Sequence, residues 1–152
     1  MGKTSKDALT LRDMSAADLK AVQAIEQNSF HDSWTYETWL GELNSNMTRY
    51  IVLEKDNIVI GFAGYWLIAG EAQVTRVAVV PAERGKGLGK IITEALLEAA
   101  WQDGATAITL EVRQSNAAAL KVYADVGFVS SGIRPRYYQD NNEDAIIMWL
   151  YR

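Results

Sequence analysis

The sequence predicts a mixed α/β (α+β) fold in which helices cover a central sheet. Three observations predict it. Short runs rich in β-branched residues recur along the chain, apolar residues after Gly87 repeat at three and four residues, and a glycine-rich loop joins one of those strands to that helix. The 152 residues are one domain's worth, residues 1–152, long enough to enclose a core without staples.

Leu9-Thr10-Leu11-Arg12 alternates like a short strand. Ser15 followed by Asp18 resembles a helix N-cap, with Leu19, Val22 and Ile25 at helical spacing. Residues 30–34 break that helix, and 36–43 read as a second, short one. Residues 50–53 and 58–68 are strands joined at Asp56-Asn57, a hairpin signal. Residues 73–80 form another strand, which Pro81 ends. Leu88, Ile91, Ile92, Ala95, Leu96 and Ala99 then define an amphipathic helix. A strand over 106–112 precedes a helix over 116–126, closed by Gly127, and strands near 128–133 and 145–151 finish the chain.

Composition excludes several classes of function. With no cysteine there is no disulfide, no thiolate metal site and no cysteine nucleophile. His31 is the only histidine, which leaves a histidine-built metal site or Ser-His-Asp triad one loop residue, so no metal is expected. The net charge of −4 and pI near 5.0 disfavour general nucleic-acid binding and suit a basic peptide better. No apolar run approaches membrane-spanning length, and residues 1–7 lack the core of a secretion signal. Gly2 hints at myristoylation, but Lys6 stands where that motif wants Ser or Thr. A cytoplasmic protein is expected.

The strongest single motif is Arg84-Gly85-Lys86-Gly87-Leu88-Gly89. Glycines there let the backbone approach a ligand, and the free N–H groups of the next helix's first turn form an anion site. Arg84, Lys86 and Lys90 add positive charge. The spacing G-x-G-x-G misses the dinucleotide fingerprint, and Ile91 after Gly89-Lys90 lacks the hydroxyl a P-loop needs. A flexible strand-to-helix connection is the alternative.

Arg84-x-x-Gly87-x-Gly89, after a strand and opening a helix, resembles the acetyl-CoA signature of the GNAT acetyltransferases. The resemblance continues through Val77-Ala78-Val79-Val80-Pro81, Leu110-Glu111-Val112-Arg113, Ser115-Asn116-Ala117-Ala118-Ala119, Val122-Tyr123 and Gly127-Phe128, over about half of the chain. It implies a mostly antiparallel central sheet flanked by helices, and acetyl-CoA as co-substrate. Within that superfamily the chain is similar to the ribosomal-protein-alanine N-acetyltransferases (the RimI group). Glu111 to Ala119, Arg136-Tyr137-Tyr138, residues 143–148 and the stretch from Ile25-Glu26 to Trp34 carry that likeness. The group often has proline directly before the tryptophan; this chain has Asp32-Ser33-Trp34.

Acetyl transfer to an amine needs a base, a donor for the developing oxyanion and a proton for the leaving thiolate. Glu111 is the candidate base, at the end of an apolar strand; pairing with Arg113 on the same face is the alternative. The resemblance implies the base role. It likewise implies that Tyr123 is the acid, although its spacing with Leu120 and Val126 also suits a core aromatic. Asn116 would hold the coenzyme's pantetheine arm, or simply cap its helix. Backbone amides on the strand Val77, Ala78, Val79 would pair with pantetheine, with the oxyanion donor near Val79 at a bulge the family places before the loop. Phe30, Trp34, Tyr137 and Tyr138, flanked by Arg134, Arg136 and Asp140, are candidates for a peptide slot. The implied acceptor is a protein N-terminal amine, foremost the N-terminal alanine of a ribosomal protein. Broader N-terminal or small-amine acetylation, and a non-catalytic coenzyme-A-binding module, are the other readings. With no cysteine, direct transfer in a ternary complex is favoured over an acyl-enzyme.

Overall fold

Asp56 and Asn57 both take positive φ, 52° and 69°, which is how a two-residue hairpin turn matches the twist of its strands. They join β2 (Thr48–Lys55) to β3 (Ile58–Ile68). The computed structural model describes residues 8–152; Gly2, Lys6 and the rest of the opening segment lie outside them.

The strands β1 (Leu9–Asp13), β2, β3, β4 (Glu71–Val79), β5 (Ala107–Arg113), β6 (Val129–Tyr138) and β7 (Glu143–Tyr151) form one sheet in the order β1-β2-β3-β4-β5-β7-β6. Every neighbouring pair is antiparallel except β4 and β5. The parallel pair is short: only Glu71–Gln73 meets Ala107–Thr109. Beyond Gln73 the two strands part.

Helices cover both faces. On one face α3 (Leu88–Gln102) and α4 (Ala117–Asp125) pack on Val79, Ile108, Leu110, Val112 and Met148, joined by Tyr123 and Phe128. On the other, α1 (Leu19–Ser29) and α2 (Tyr36–Asn44) bury Leu19, Val22, Ile25 and Trp39 against Tyr50, Val52, Phe62 and Ala78. Residues of β4 therefore alternate, with Val77 and Val79 toward α3 and Ala78 toward α1.

Element types agree with the sequence reading and several ends move. Ser15 opens a 3-10 turn, Ala16–Asp18, before α1, and its N–H donates to the Asp18 carboxylate at 2.8 Å. That carboxylate is also gripped by Arg12, which holds it below the usual carboxylate range. The strand expected over 128–133 continues to Tyr138, because pairing with β7 carries it past the end of its apolar pattern. Arg134-Pro135-Arg136 hides that continuation, and Arg136 itself takes a positive φ of 51°.

The bulge lies at Thr75 rather than around Val79: Gly64 faces Arg76 while Tyr65 faces Val74, so β4 carries one extra residue. The Thr75 hydroxyl donates to the Gly64 carbonyl (3.2 Å) and meets Tyr50 Oη (3.1 Å). Tyr50 lies over Gly64 so closely that a Cβ built there would sit 2.0 Å from the ring. Trp39 packs edge-on at 5.2 Å and leaves the ring no retreat. Gly64→Ala is therefore expected to destabilise the fold by about 1–3 kcal/mol, the usual effect of overpacking, read as a lower midpoint in urea. An unchanged midpoint would show that the ring has room to move.

Candidate active site

Where β4 and β5 part, each strand keeps an edge without a strand partner in the middle of the sheet. The Val80 N–H donates to the Ile60 carbonyl at 2.8 Å. Amides alternate along an antiparallel strand, so those of Val77 and Val79 point away from β3, into the gap. Both strands run the same way, so their carboxyl ends open on one side, where α/β folds place ligands.

From β4 the chain turns through Pro81–Glu83 into the glycine loop. Gly85 and Gly87 both have φ of 80°, a conformation that favours glycine. Gly87 caps α3, and the first intrahelical bond is Ile91 N–H to Gly87 C=O at 3.3 Å. The amides of Leu88, Gly89 and Lys90 are thus left for something outside the helix. A Cβ at Gly85, Gly87 or Gly89 would meet nothing within 4 Å, so the loop is an open cradle.

The cations of the loop behave differently from one another. Arg84 turns back, its Nε donating to the Val79 carbonyl (2.9 Å) and a guanidinium nitrogen to Ser29 Oγ (3.1 Å), so it ties strand to α1. Lys86 shares Glu83 with Lys55, at 3.2 and 3.1 Å. Lys90 carries no ion pair among the described residues.

Glu111 projects from β5 on the face opposite Leu110 and Val112. Its expected partner, Arg113, is not its partner. Residues two apart on a strand share a face but stand about 7 Å apart, and Arg113 instead pairs with Asp140 (3.0 Å) and Glu143 (3.5 Å) while lying over the Tyr138 ring. Glu111 is bound by Arg134 Nε and by Tyr137 Oη at 3.0 Å, both from β6.

Tyr123 enters from the other face. Its ring is buried edge-on to Phe128, yet its hydroxyl makes no hydrogen bond among the described residues and is not sealed from the surface. Burial, with a smaller contribution from Tyr138, pushes its pKa up to about 12. Asn116 caps α4, its Oδ1 accepting from the Ala119 N–H at 3.1 Å. Tyr137 and Tyr138 stack edge to face at 5.1 Å, and burial raises both phenols, Tyr138 to about 12.

Phe30 and Trp34 belong to the loop between α1 and α2, and their rings clamp the Arg76 guanidinium, each 4.4 Å from its centre. Arg76 pairs with Glu26 at 3.0 Å, in ion-pair contact but off hydrogen-bond alignment. Sequence reasoning missed both. The signal was there: Glu26 follows Ile25 on the buried side of α1, and Arg76 shares the inward face of β4 with Ala78. Two buried opposite charges call for each other.

Two shallow surface depressions, one beside Met14 and Tyr50 and one beside Gly127 and Trp149, touch none of the candidate residues. The candidate residues lie instead around the place where β4 and β5 part. Among the described residues no group of three His, Cys, Asp or Glu is arranged to hold a metal, and no helix is long and apolar enough to cross a membrane.

Comparison with protein families matches residues 13–128 to the Acetyltransferase (GNAT) family. The chain belongs to the GNAT acetyltransferases. It is 38% identical over 146 residues to a putative [ribosomal protein bS18]-alanine N-acetyltransferase of Bacillus subtilis, covering 95% of this chain and 97% of that one. The crystal structure of the ribosomal-protein-S18-alanine N-acetyltransferase from Escherichia coli superposes with a TM-score of 0.85 at 32% identity, over 94% of this chain and 93% of that one. At 21% identity and a TM-score of 0.83, covering 95% and 94% of the two chains, the fold is shared with yncA, a putative acetyltransferase from Salmonella typhimurium determined with its cofactor acetyl-CoA.

GNAT enzymes use acetyl-CoA, and the open cradle of this acetyltransferase fits a pyrophosphate. Gly89 tests the fit, because its φ is not in the left-handed region and nothing in the protein crowds it. Gly89→Ala is expected to leave the melting temperature level or slightly higher. It should weaken acetyl-CoA binding about tenfold, the loss of one hydrogen bond to a charged acceptor. Calorimetric titration checks this, and unchanged affinity would move the anion off the loop.

Proposed function

We propose that this chain, as a single catalytic domain, transfers acetyl from acetyl-CoA to the N-terminal α-amine of a protein, foremost the N-terminal alanine of a ribosomal protein. The names of its relatives support the acceptor. One observation carries the chemistry: Glu111, on β5 just beyond its pairing with β4, and Tyr123, in the core cluster with Leu110 and Val112, lie on opposite faces of the sheet. An acceptor amine and a departing thiol can then sit on opposite sides of one acyl carbon, each beside its own proton-transfer group.

Gly85, Gly87 and Gly89 with the first-turn amides of α3 would hold the pyrophosphate, and Val77 N–H the pantetheine arm; Asn116 retains an Nδ2 donor for that arm. Bound there, acetyl-CoA supplies a thioester-activated acetyl group. Glu111 collects the proton of the amine, whose ordinary pKa of about 7.7–8.0 makes that a small task. The Val79 N–H donates to the acyl oxygen as negative charge develops on it. Tyr123 gives its proton to the thiolate. No cysteine is present to take the acyl group, so the transfer is direct, within a ternary complex. A ribosomal acceptor places the reaction in the cytoplasm.

Glu111→Gln is expected to lower kcat at neutral pH roughly 10²-fold or more with acetyl-CoA affinity nearly unchanged. Full turnover in that variant would remove Glu111 as base. For Tyr123 the raised pKa means that its acid form persists above the ordinary phenol value near 10. Wild-type kcat should therefore hold up to about pH 10, and Tyr123→Phe should lower it throughout. A wild-type alkaline limb centred near pH 9 would assign the acid elsewhere. The acceptor is tested with peptides starting Ala, Ser, Met or Met-Glu and with a free polyamine, and preference for the polyamine would overturn it.

A further inference from the structure

Between Ser29 and Tyr36 the α1–α2 loop keeps one helical bond at each end, Phe30 N–H to the Glu26 carbonyl and Trp39 N–H to the Thr35 carbonyl, and takes part in no strand pairing. Its polar tethers run to three side chains. The Trp34 N–H donates to Glu26 at 2.9 Å, the Asp32 carbonyl accepts from Arg76 at 2.8 Å, and Gln23 reaches the Trp34 carbonyl at 3.4 Å. Glu26 also accepts from the Trp39 indole at 3.1 Å and is completely buried, while Arg76 is 6% exposed. With Phe30 and Trp34 on its two sides, the guanidinium is the post around which the loop is wound.

That loop covers β4 at Arg76, on the face of the sheet from which Glu111 projects. Asp32 also contributes in a small way to the raised Tyr137 phenol. Tyr137 in turn binds Glu111. Ser33 stands directly before Trp34, so the loop backbone there lacks the restriction that a proline would impose on itself and on the residue before it.

We infer that Arg76, seated on Glu26, is the positioning residue that shapes the acceptor-side wall of this enzyme, taking over through a buried guanidinium the restraint that a proline before Trp34 would provide. The inference rests on reading the groove beside Glu111 as the acceptor slot. The Arg76 side chain bonds to Asp32 and Glu26, with no hydrogen bond or ion pair to the glycine cradle, and it projects on the Ala78 face of β4, away from α3. Its side-chain contacts are therefore on the amine side. A planar, multiply bonded, stacked group is required, and lysine keeps only the charge.

Steady-state kinetics of Arg76→Met and Arg76→Lys, with an N-terminal alanine peptide as acceptor, test it. In Arg76→Met the peptide KM should rise roughly tenfold or more, as misplaced binding walls do. The acetyl-CoA KM should stay within about twofold. Arg76→Lys should fall between, and it keeps the experiment readable should the methionine variant fail to fold. Amide exchange within 30–35 should quicken in both variants while α3 stays protected. A joint rise of both KM values, an unmoved peptide KM, or unaltered exchange in 30–35 would overturn the inference. Should the wild type acetylate no peptide, the acceptor reading fails by itself, and the exchange measurement still decides whether Arg76 holds the loop.

Discussion

Everything in this protein's candidate site follows from the fact that β4 and β5 stay paired for three residues and then separate. Backbone donors and acceptors in the middle of a sheet need partners, so a gap there is a demand for water or a ligand. The parting has a local cause. The extra residue at Thr75 comes two positions after the last parallel pair, bends β4 and aims Val77 and Val79 into the gap. The bulge is held in turn. Thr75 is bonded to Gly64 and Tyr50, and Tyr50 donates to Glu42 on α2, which also accepts from Trp66 at 2.7 Å. A helix, two further strands and one aromatic ring thus keep an irregular strand in a single shape.

The gap can be approached from two faces, and the helices divide the work between them. On the α3/α4 face lie the cradle, the cap of α4 and the buried ring of Tyr123. On the α1/α2 face lie Glu111, the tyrosines of β6 and the loop wound on Arg76. The two helices α1 and α2 cover β2 to β4 and stop short of β5 and β7, which is why Glu111 is reachable at all. A coenzyme and a second substrate can occupy such a site together without sharing walls.

Much of this was readable in the residues, and what was not has a physical reason. Periodicity located the elements because each buries one face, and Asp56-Asn57 located its turn because few residue pairs accept two positive φ values. The bulge left no trace: Val74, Thr75 and Arg76 look like any strand, and only pairing with β3 reveals the surplus residue. The alternative pairing of Glu111 with Arg113 fails because its partners, Arg134 and Tyr137, come from β6 across the intervening β7, and spacing along one strand says nothing about a strand two places away. Arg84 looked like a ligand cation, yet a side chain's direction is set by the acceptors around it, here the Val79 carbonyl and Ser29. That Phe30 and Trp34 enclose the buried Arg76 charge could not be read from the sequence, because the arginine comes from a strand more than forty residues away.

The Arg134–Glu111 pair bears on how an amine would be handled here. An arriving ammonium would meet a carboxylate already holding a guanidinium, and two cations cannot crowd one carboxylate without repulsion. The Arg134 side chain is 56% exposed, so moving it aside gives up a surface ion pair of only about 0–1 kcal/mol. Tyr137 Oη can stay and keep the carboxylate oriented while that happens. While Arg134 remains near, its charge disfavours the ammonium form of the guest and favours the free amine, the form that attacks a thioester. The contact that occupies Glu111 at rest would thus assist the proton loss proposed for Glu111.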